Sequence, residues 1–231
     1  MSGAKELPPG QFEIEELPRF GLPQFSHRFP RETARVQVAI RGDVEQSILI
    51  EDELRSLPRV EQQSDFHCVT TWTRRSLRWS GFRFADFYER IVVPRARPRD
   101  DARFIILRCQ DGYRTSMPLS DLMAPDVLLV DRLDGKPLPI AHGAPLRLVA
   151  PAHYGYKNAK HLRGIEFWRD EREYRSASLW FMDHPRARVS LEERGRGVPG
   201  WLLGYLYRPL VRPTIRRFRR GLQHHLAQRE T

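Results

Sequence analysis

Cysteine is scarce, with only Cys68 and Cys109 in 231 residues, which excludes a disulfide scaffold and a four-cysteine zinc site. No stretch approaches the roughly 18 consecutive apolar residues of a membrane-spanning helix. The first twenty residues lack the apolar core and small-residue cleavage site of a secretory signal, and no Arg-Arg pair precedes an apolar run there. A cytoplasmic protein with reduced thiols is the expectation. The hydrolytic and zinc-protease signatures H-E-x-x-H and G-x-S-x-G are missing, as is C-x-x-C. Lysine is nearly absent as well: only Lys5, Lys136, Lys157 and Lys160 among 39 basic residues.

What is present is apolar and basic. Hydrophobic residues make up 40% of the chain, enough for one packed domain with an appendage and too many for a disordered one. The formal net charge is +10. An anion-seeking surface is one reading of that charge, and arginine-rich codon usage is the other, because arginine is spread through the whole chain.

Residues 1–34 hold five prolines between Pro8 and Pro30 and read as an extended arm. Val36, Val38 and Ile40 alternate with polar residues before Arg41-Gly42-Asp43, and Ser47–Ile50 follows, which predicts a hairpin. A short helix is expected over Glu51–Leu57, stopped by Pro58. Phe66–Trp72 reads as a strand ending in a basic turn at Thr73-Arg74-Arg75, and residues 82–92 as a helix with a buried face. Asp111-Gly112 joins two strand-like runs, and Asp134-Gly135 marks another tight turn. Leu146–Ala150 and Ile165–Trp168 read as further strands. Strands outnumber helices without a βαβ rhythm, so the class is α+β with a strand-rich core. Residues 201–231 carry seven arginines against Glu230, with Leu203, Leu206, Leu210, Ile215, Phe218, Leu222 and Leu226 at three- to five-residue steps. They predict a basic amphipathic helical tail interrupted by Pro209 and Pro213. That tail packs its apolar stripe on the domain, or docks on an acidic membrane surface or a protein.

Gly195–Gly200 spells G-x-G-x-x-G, but no apolar strand precedes it and Pro199 lies inside it, so it is rejected as a dinucleotide loop. His224 and His225 are neighbours on a helix and face apart, which argues against a shared metal. Two places remain. Cys68 sits between Phe66 and Trp72 with Arg74 and Arg75 behind it. A buried structural thiol is the ordinary account, and a thiolate ligand or nucleophile is physically allowed beside cations. Arg74 and Arg75 could bind an anion or lie in solvent. From His142 to Ile165, a strand bearing Arg147 leads through Pro151 into a glycine loop that presents Lys157, Asn158 and Lys160. Such a convergence suits a phosphate-bearing ligand, and a plain strand with a solvated loop is the alternative.

Four pieces occur together in order: D-F-x-C-V-x-x-W at Asp65–Trp72, D-G-Y at Asp111–Tyr113, G-A-P-L-R-L-V-x-P at Gly143–Pro151 and Y-G-Y-K-x-x-K at Tyr154–Lys160. Their combination resembles the molybdopterin domain of sulfite oxidase and its bacterial relatives. The resemblance implies a strand-rich, mixed sulfite-oxidase-type fold at residues 35–180, with an arm at 1–34 and a basic C-terminal extension at 181–231. It implies Cys68 as the thiolate on molybdenum and the catalytic centre. Arg147 and Lys160 are then expected on the pterin phosphate, with Lys157, Asn158 and Ala159 in the turn beside it. His142 stands where relatives have asparagine, and His27-Arg28 is the arm contact expected from the family. The expected cofactor is molybdenum-molybdopterin without haem, since no haem domain is present. The expected reaction is oxygen-atom transfer to or from a small substrate such as a sulfur oxoanion or sulfoxide, with an electron-transfer partner. A basic protein docking on nucleic acid or an acidic membrane through 201–231 is the competing expectation; no nucleic-acid signature supports the former.

Overall fold

The structure, a computed structural model, describes residues 6–228; the first five residues of the expected arm and the last three of the tail lie outside them. In chain order the strands are β1 (Phe12–Glu13), β2 (Val38–Gly42), β3 (Ile48–Ile50), β4 (Arg59–His67), β5 (Trp72–Arg83), β6 (Phe104–Cys109), β7 (Arg114–Pro118), β8 (Leu128–Leu133), β9 (Lys136–Pro137), β10 (Arg147–Val149) and β11 (Leu162–Trp168). The helices are α1 (Phe84–Phe87), continued by a π turn at Tyr88–Val92 into α2 (Val93–Ala96), then α3 (Leu119–Leu122), α4 (Gly200–Tyr207) and α5 (Val211–Ala227).

Two mixed sheets result. One is six-stranded, ordered β1-β5-β8-β10 with β4 on β5 and β9 on β8; the other is five-stranded, ordered β3-β2-β11-β6-β7. Alternation along the strands decides which side chains meet. Leu129 and Leu148 join the large core shared with the five-stranded sheet, which also holds Ile40, Ile165, Phe84 and Phe87. Their neighbours Leu128, Val130 and Val149 face a second core with Trp72 and Trp79, covered by Phe12, Leu17 and Phe20 of the arm and by Val211 and Ile215 of α5. The strand-rich α+β expectation therefore holds, as do the hairpins at residues 38–50 and at Asp111-Gly112. The short helix after residue 51 is a 3-10 turn at Glu53–Ser56.

Three local expectations are corrected. Phe66–Trp72 is not one strand: Thr71 N–H donates to Cys68 O at 3.1 Å and Thr71 takes φ 82°, folding the chain into a turn. Thr73, Arg74 and Arg75 are consequently strand residues of β5, paired with β4 through His67↔Thr73 and Phe66↔Arg74. The expected helix at 82 starts later, at Phe84, because Phe82 and Arg83 complete β5 against Leu129 and Leu128. Gly81 permits that pairing, since a Cβ there would lie 2.1 Å from Leu129 O. Pro209 breaks the tail with a 3-10 turn, but Pro213 does not: it lies in the first turn of α5, where its missing N–H has no intrahelical partner to lose.

Both ends of the described residues pack on the rest of the fold. The arm pairs parallel with β5 through Phe12↔Trp72. Residues after 181 wrap back on the glycine loop: Tyr154 N–H donates to Ala187 O at 2.9 Å, and Lys157 Nζ reaches Asp183 Oδ1 at 3.0 Å.

Candidate functional site

The site is a pocket of about 160 Å³ where the β4–β5 turn, the start of β10 and the glycine loop meet beneath the arm and the C-terminal helices. Cys68 occupies the turn, held by its N–H to Trp72 O at 2.8 Å and by Gln11 Nε2 donating to its carbonyl at 3.1 Å. Its thiol lies 3.2 Å from Thr70 Oγ1 and is pushed up to about 11 by burial, against opposing pulls from Thr70, Lys160 and Arg194. The thiol is therefore protonated at neutral pH until a cation displaces the proton.

Three cations line the pocket with it: Arg19, Arg147 and Lys160. Arg147 is almost fully buried at the start of β10, its guanidinium 5.5 Å from the Phe66 ring centre and 5.0 Å from that of Trp79. It donates only to carbonyls, to His142 O at 3.0 Å, Leu148 O at 3.3 Å and Asn158 O at 3.5 Å, and burial lowers it to about 9. Lys160 makes no hydrogen bond or salt bridge with the described residues; burial, then Arg147 and Arg19, lower it to about 7. Asp111 is the one carboxylate in the pocket wall, and burial raises its own value. Positive charge thus gathers in a recess with Asp111 alone to compensate it among the described residues, which favours an anion that enters.

Two histidines complete the polar wall. His142 ends a 3-10 turn with its buried Nδ1 bonded to nothing, and burial with Lys160 and Arg147 lowers it to about 3, so it is neutral. His161 holds Ala144 O at 2.7 Å through Nδ1, and burial lowers it to about 4, which fixes the Nδ1–H form. Phe66, Trp72, Tyr207, Phe218 and Met182 form the apolar wall.

The sequence-expected residues do not all arrive. Cys68, His142, Arg147, Asn158 and Lys160 converge on the pocket. Asn158 serves the loop itself: its Oδ1 accepts from Ala150 N–H at 2.7 Å, and its Nδ2 is 3.3–3.4 Å from the carbonyls of Ala150, His153 and Tyr154. Lys157 does not line the pocket. It is fully buried elsewhere, donating to Ser116 O at 2.8 Å and paired with Asp183, because the tight loop sends Lys157 and Lys160 to opposite sides. Ala159 also lies outside the pocket wall; its methyl belongs to the main core, and its carbonyl accepts from Leu148 N–H at 2.8 Å. Arg74 and Arg75 are engaged with Arg75 O and Glu13, away from the pocket.

From the arm, the pocket receives Arg19 rather than His27-Arg28. Arg19 donates to the carbonyls of Ser26, Phe25 and Arg28 at 2.6, 3.1 and 2.8 Å and lies 4.1 Å from the Phe29 and 4.9 Å from the Phe218 ring centres. An arginine set among Phe20, Phe25 and Phe29 was the available signal. Arg194, fully buried, ties the Cys68 turn to the arm through Val69 O at 2.7 Å and Pro9 O at 3.0 Å; nothing in its local sequence marks it.

A single soft thiol among cations that face no strong counter-charge suits a group that brings further metal ligands and negative charge of its own; among the described residues no group of three His, Cys, Asp or Glu side chains could hold a metal ion. Residues 26–176 match the oxidoreductase molybdopterin-binding domain family. The chain belongs to that family, and the residues present suit its cofactor. It is 37% identical over 132 residues to an uncharacterized oxidoreductase of Bacillus subtilis, covering 57% of this chain and 64% of the other. It is 29% identical over 189 residues to MsrP of Xanthomonas campestris pv. campestris, a protein-methionine-sulfoxide reductase catalytic subunit, covering 69% of this chain and 57% of the other. Among solved structures, the sulfane dehydrogenase SoxCD of Paracoccus pantotrophus shares the fold, with a TM-score of 0.51 over 66% of this chain and 43% of that one, at 19% identity. The chain thus spans less than two thirds of the length of these relatives. Arg19, Met182, Tyr207 and Phe218, all in the pocket wall, lie outside the matched stretch.

Proposed function

We propose that the protein is a molybdenum-cofactor-dependent oxidoreductase acting on a small sulfur oxoanion or sulfoxide. The observation that carries the reading is the meeting of the Cys68 thiol with the buried Arg147 and the half-buried Lys160, neither facing a carboxylate partner among the described residues, in one pocket. Cys68 would give the protein's thiolate to the metal, releasing its proton as the metal binds. Arg147 and Lys160 would hold the pterin phosphate, and the charge gained there restores the protonated form of Lys160. His142, neutral and with Nδ1 unengaged, would hydrogen-bond the cofactor, while Asn158 keeps the loop in shape. When bound, the cofactor supplies two-electron oxygen-atom transfer. The remaining wall, cationic on one side and aromatic on the other, admits a compact substrate that carries an S–O dipole or a negative charge. The name of the sulfoxide-reductase relative supports the sulfur chemistry, and single electrons pass to a partner protein. A cytoplasmic site of action is a further proposal, tested by cell fractionation.

The test is elemental and pterin analysis of protein made in a cofactor-competent host, wild type beside Cys68→Ala. Molybdenum and pterin in equal amounts, near one per chain, are expected in the wild type. The variant keeps pterin and loses turnover of sulfite and sulfoxide probes. Absence of metal and pterin from both proteins refutes the reading.

A further inference from the structure

The pocket accounts for the inner faces of the C-terminal helices but not for their outer ones. Leu203, Gly204 and Tyr207 of α4 and Val211, Phe218 and Gly221 of α5 are buried. Phe218 stacks on Phe20 at 6.4 Å between ring centres, and a Cβ on Gly221 would lie 2.2 Å from Ser26 O, so α5 sits tight on the arm. The outward side of α4 is unusually apolar: Trp201 is 66% exposed, Tyr205 76%, Leu206 55%, and Leu210 just beyond 54%. Leu179 and Trp180 are exposed on the neighbouring turn, where a Cβ on Gly197 would lie 3.9 Å from the Trp180 ring.

The outward side of α5 is basic in a regular way. Arg212, Arg216, Arg219, Arg220 and Gln223 are exposed at helical spacing along a 17-residue helix, a stripe about 17 Å long. Among the described residues none of these arginines has a carboxylate partner, and no Asp or Glu occurs between Glu193 and Glu230. Uncompensated arginines beside an exposed Trp, Tyr and Leu cluster match the two components of a bilayer surface, anionic headgroups above hydrocarbon. No described helix is long and apolar enough to cross a membrane, so such a contact lies in the interface plane. Nucleic acid satisfies the arginines alone and leaves the apolar cluster in water.

We propose that α4 and the outward face of α5 form a docking surface for an anionic lipid bilayer. The surface is independent of the chemistry assigned to the pocket. Arginine attraction brings the protein to the headgroups, and Trp201, Tyr205, Leu206 and Leu210 enter the upper acyl region.

The experiment is flotation of the full-length, cofactor-loaded protein with phosphatidylcholine vesicles, with and without phosphatidylglycerol, over a range of salt concentrations. Binding is expected only with phosphatidylglycerol, with a blue shift of tryptophan emission. Arg216→Gln with Arg220→Gln lowers the partition coefficient by roughly thirtyfold, about fivefold for each arginine. Trp201→Ser with Tyr205→Ser abolishes the emission shift and the binding that survives moderate salt. These side chains are exposed and outside the pocket, so melting temperature and pterin content stay at wild-type values. No enrichment on anionic vesicles overturns the proposal. Equal binding to duplex DNA and to vesicles, unaffected by Trp201→Ser with Tyr205→Ser, also overturns it, because the surface then reads charge alone.

Discussion

Lys160 gives the sharpest prediction, because the same side chain should harm the empty protein and serve the loaded one. Burial holds its ammonium at about 7 in the folded chain, against an ordinary 10.5. An unfolded chain therefore binds more protons than the folded one between those values, and stability rises with pH across that window. Below about pH 7 the burial penalty is fully present, and above the ordinary lysine value it is gone. The difference corresponds to at most about 5 kcal/mol, which partial solvent access reduces to roughly 2 kcal/mol. Lys160→Met keeps the length and removes the charge. In cofactor-free protein at pH 6.5 it should raise stability by about 2 kcal/mol, or roughly 4–8 °C in melting temperature. The advantage shrinks as pH is raised toward 10. In a cofactor-competent host the same variant should retain far less pterin, since one phosphate partner is lost. Urea unfolding from pH 6.5 to 9.5, with pterin fluorescence on parallel preparations, measures both arms. A less stable cofactor-free variant, or equal pH slopes in the two proteins, refutes the reasoning.

Two further substitutions probe how the pocket is built. Gly155→Ala places a methyl 2.5 Å from Phe66 Cζ, and that ring is wedged against Trp72 at 5.8 Å and the Arg147 guanidinium at 5.5 Å. A loss of about 1–3 kcal/mol together with reduced pterin content is expected; an unchanged unfolding midpoint counts against the wedge. Asp183→Asn leaves the fully buried Lys157 without its ion partner and should cost about 3–5 kcal/mol, whereas Lys157→Met with Asp183→Leu should come within about 1 kcal/mol of wild type. Equal losses in the single and double variants, read by urea denaturation, would place the importance of the pair elsewhere.

How much was legible in the sequence follows from where each signal lives. Asp111-Gly112 announces its hairpin locally, because the turn residues themselves require that geometry, with Gly112 at φ 89°. The alternation around Ile40 works for the same reason. The Cys68 turn reads as strand because its residues are individually β-prone; β5 folds back on β4 across the turn and is held in place by β8, about fifty residues further on, a pairing that no local window contains. Lys157 and Lys160 looked equivalent, three residues apart in a lysine-poor chain. Only Asp183, in a segment with no obvious link to them, separates a buried ion pair from an unpaired ligand-facing cation. Arg19 has local partners, the carbonyls of Phe25, Ser26 and Arg28 and the Phe29 ring, but the pocket it faces is built from Cys68, Arg147 and Lys160 far along the chain, which no local window joins to it.

The walls of the pocket run from Leu17 to Phe218, nearly the whole length of the chain. A ligand in the pocket touches both the arm and α5, which Phe20 and Phe218 already join by stacking. A ligand held there therefore ties the beginning of the described chain to its last helix, and its binding should slow the separation of α5 from the arm.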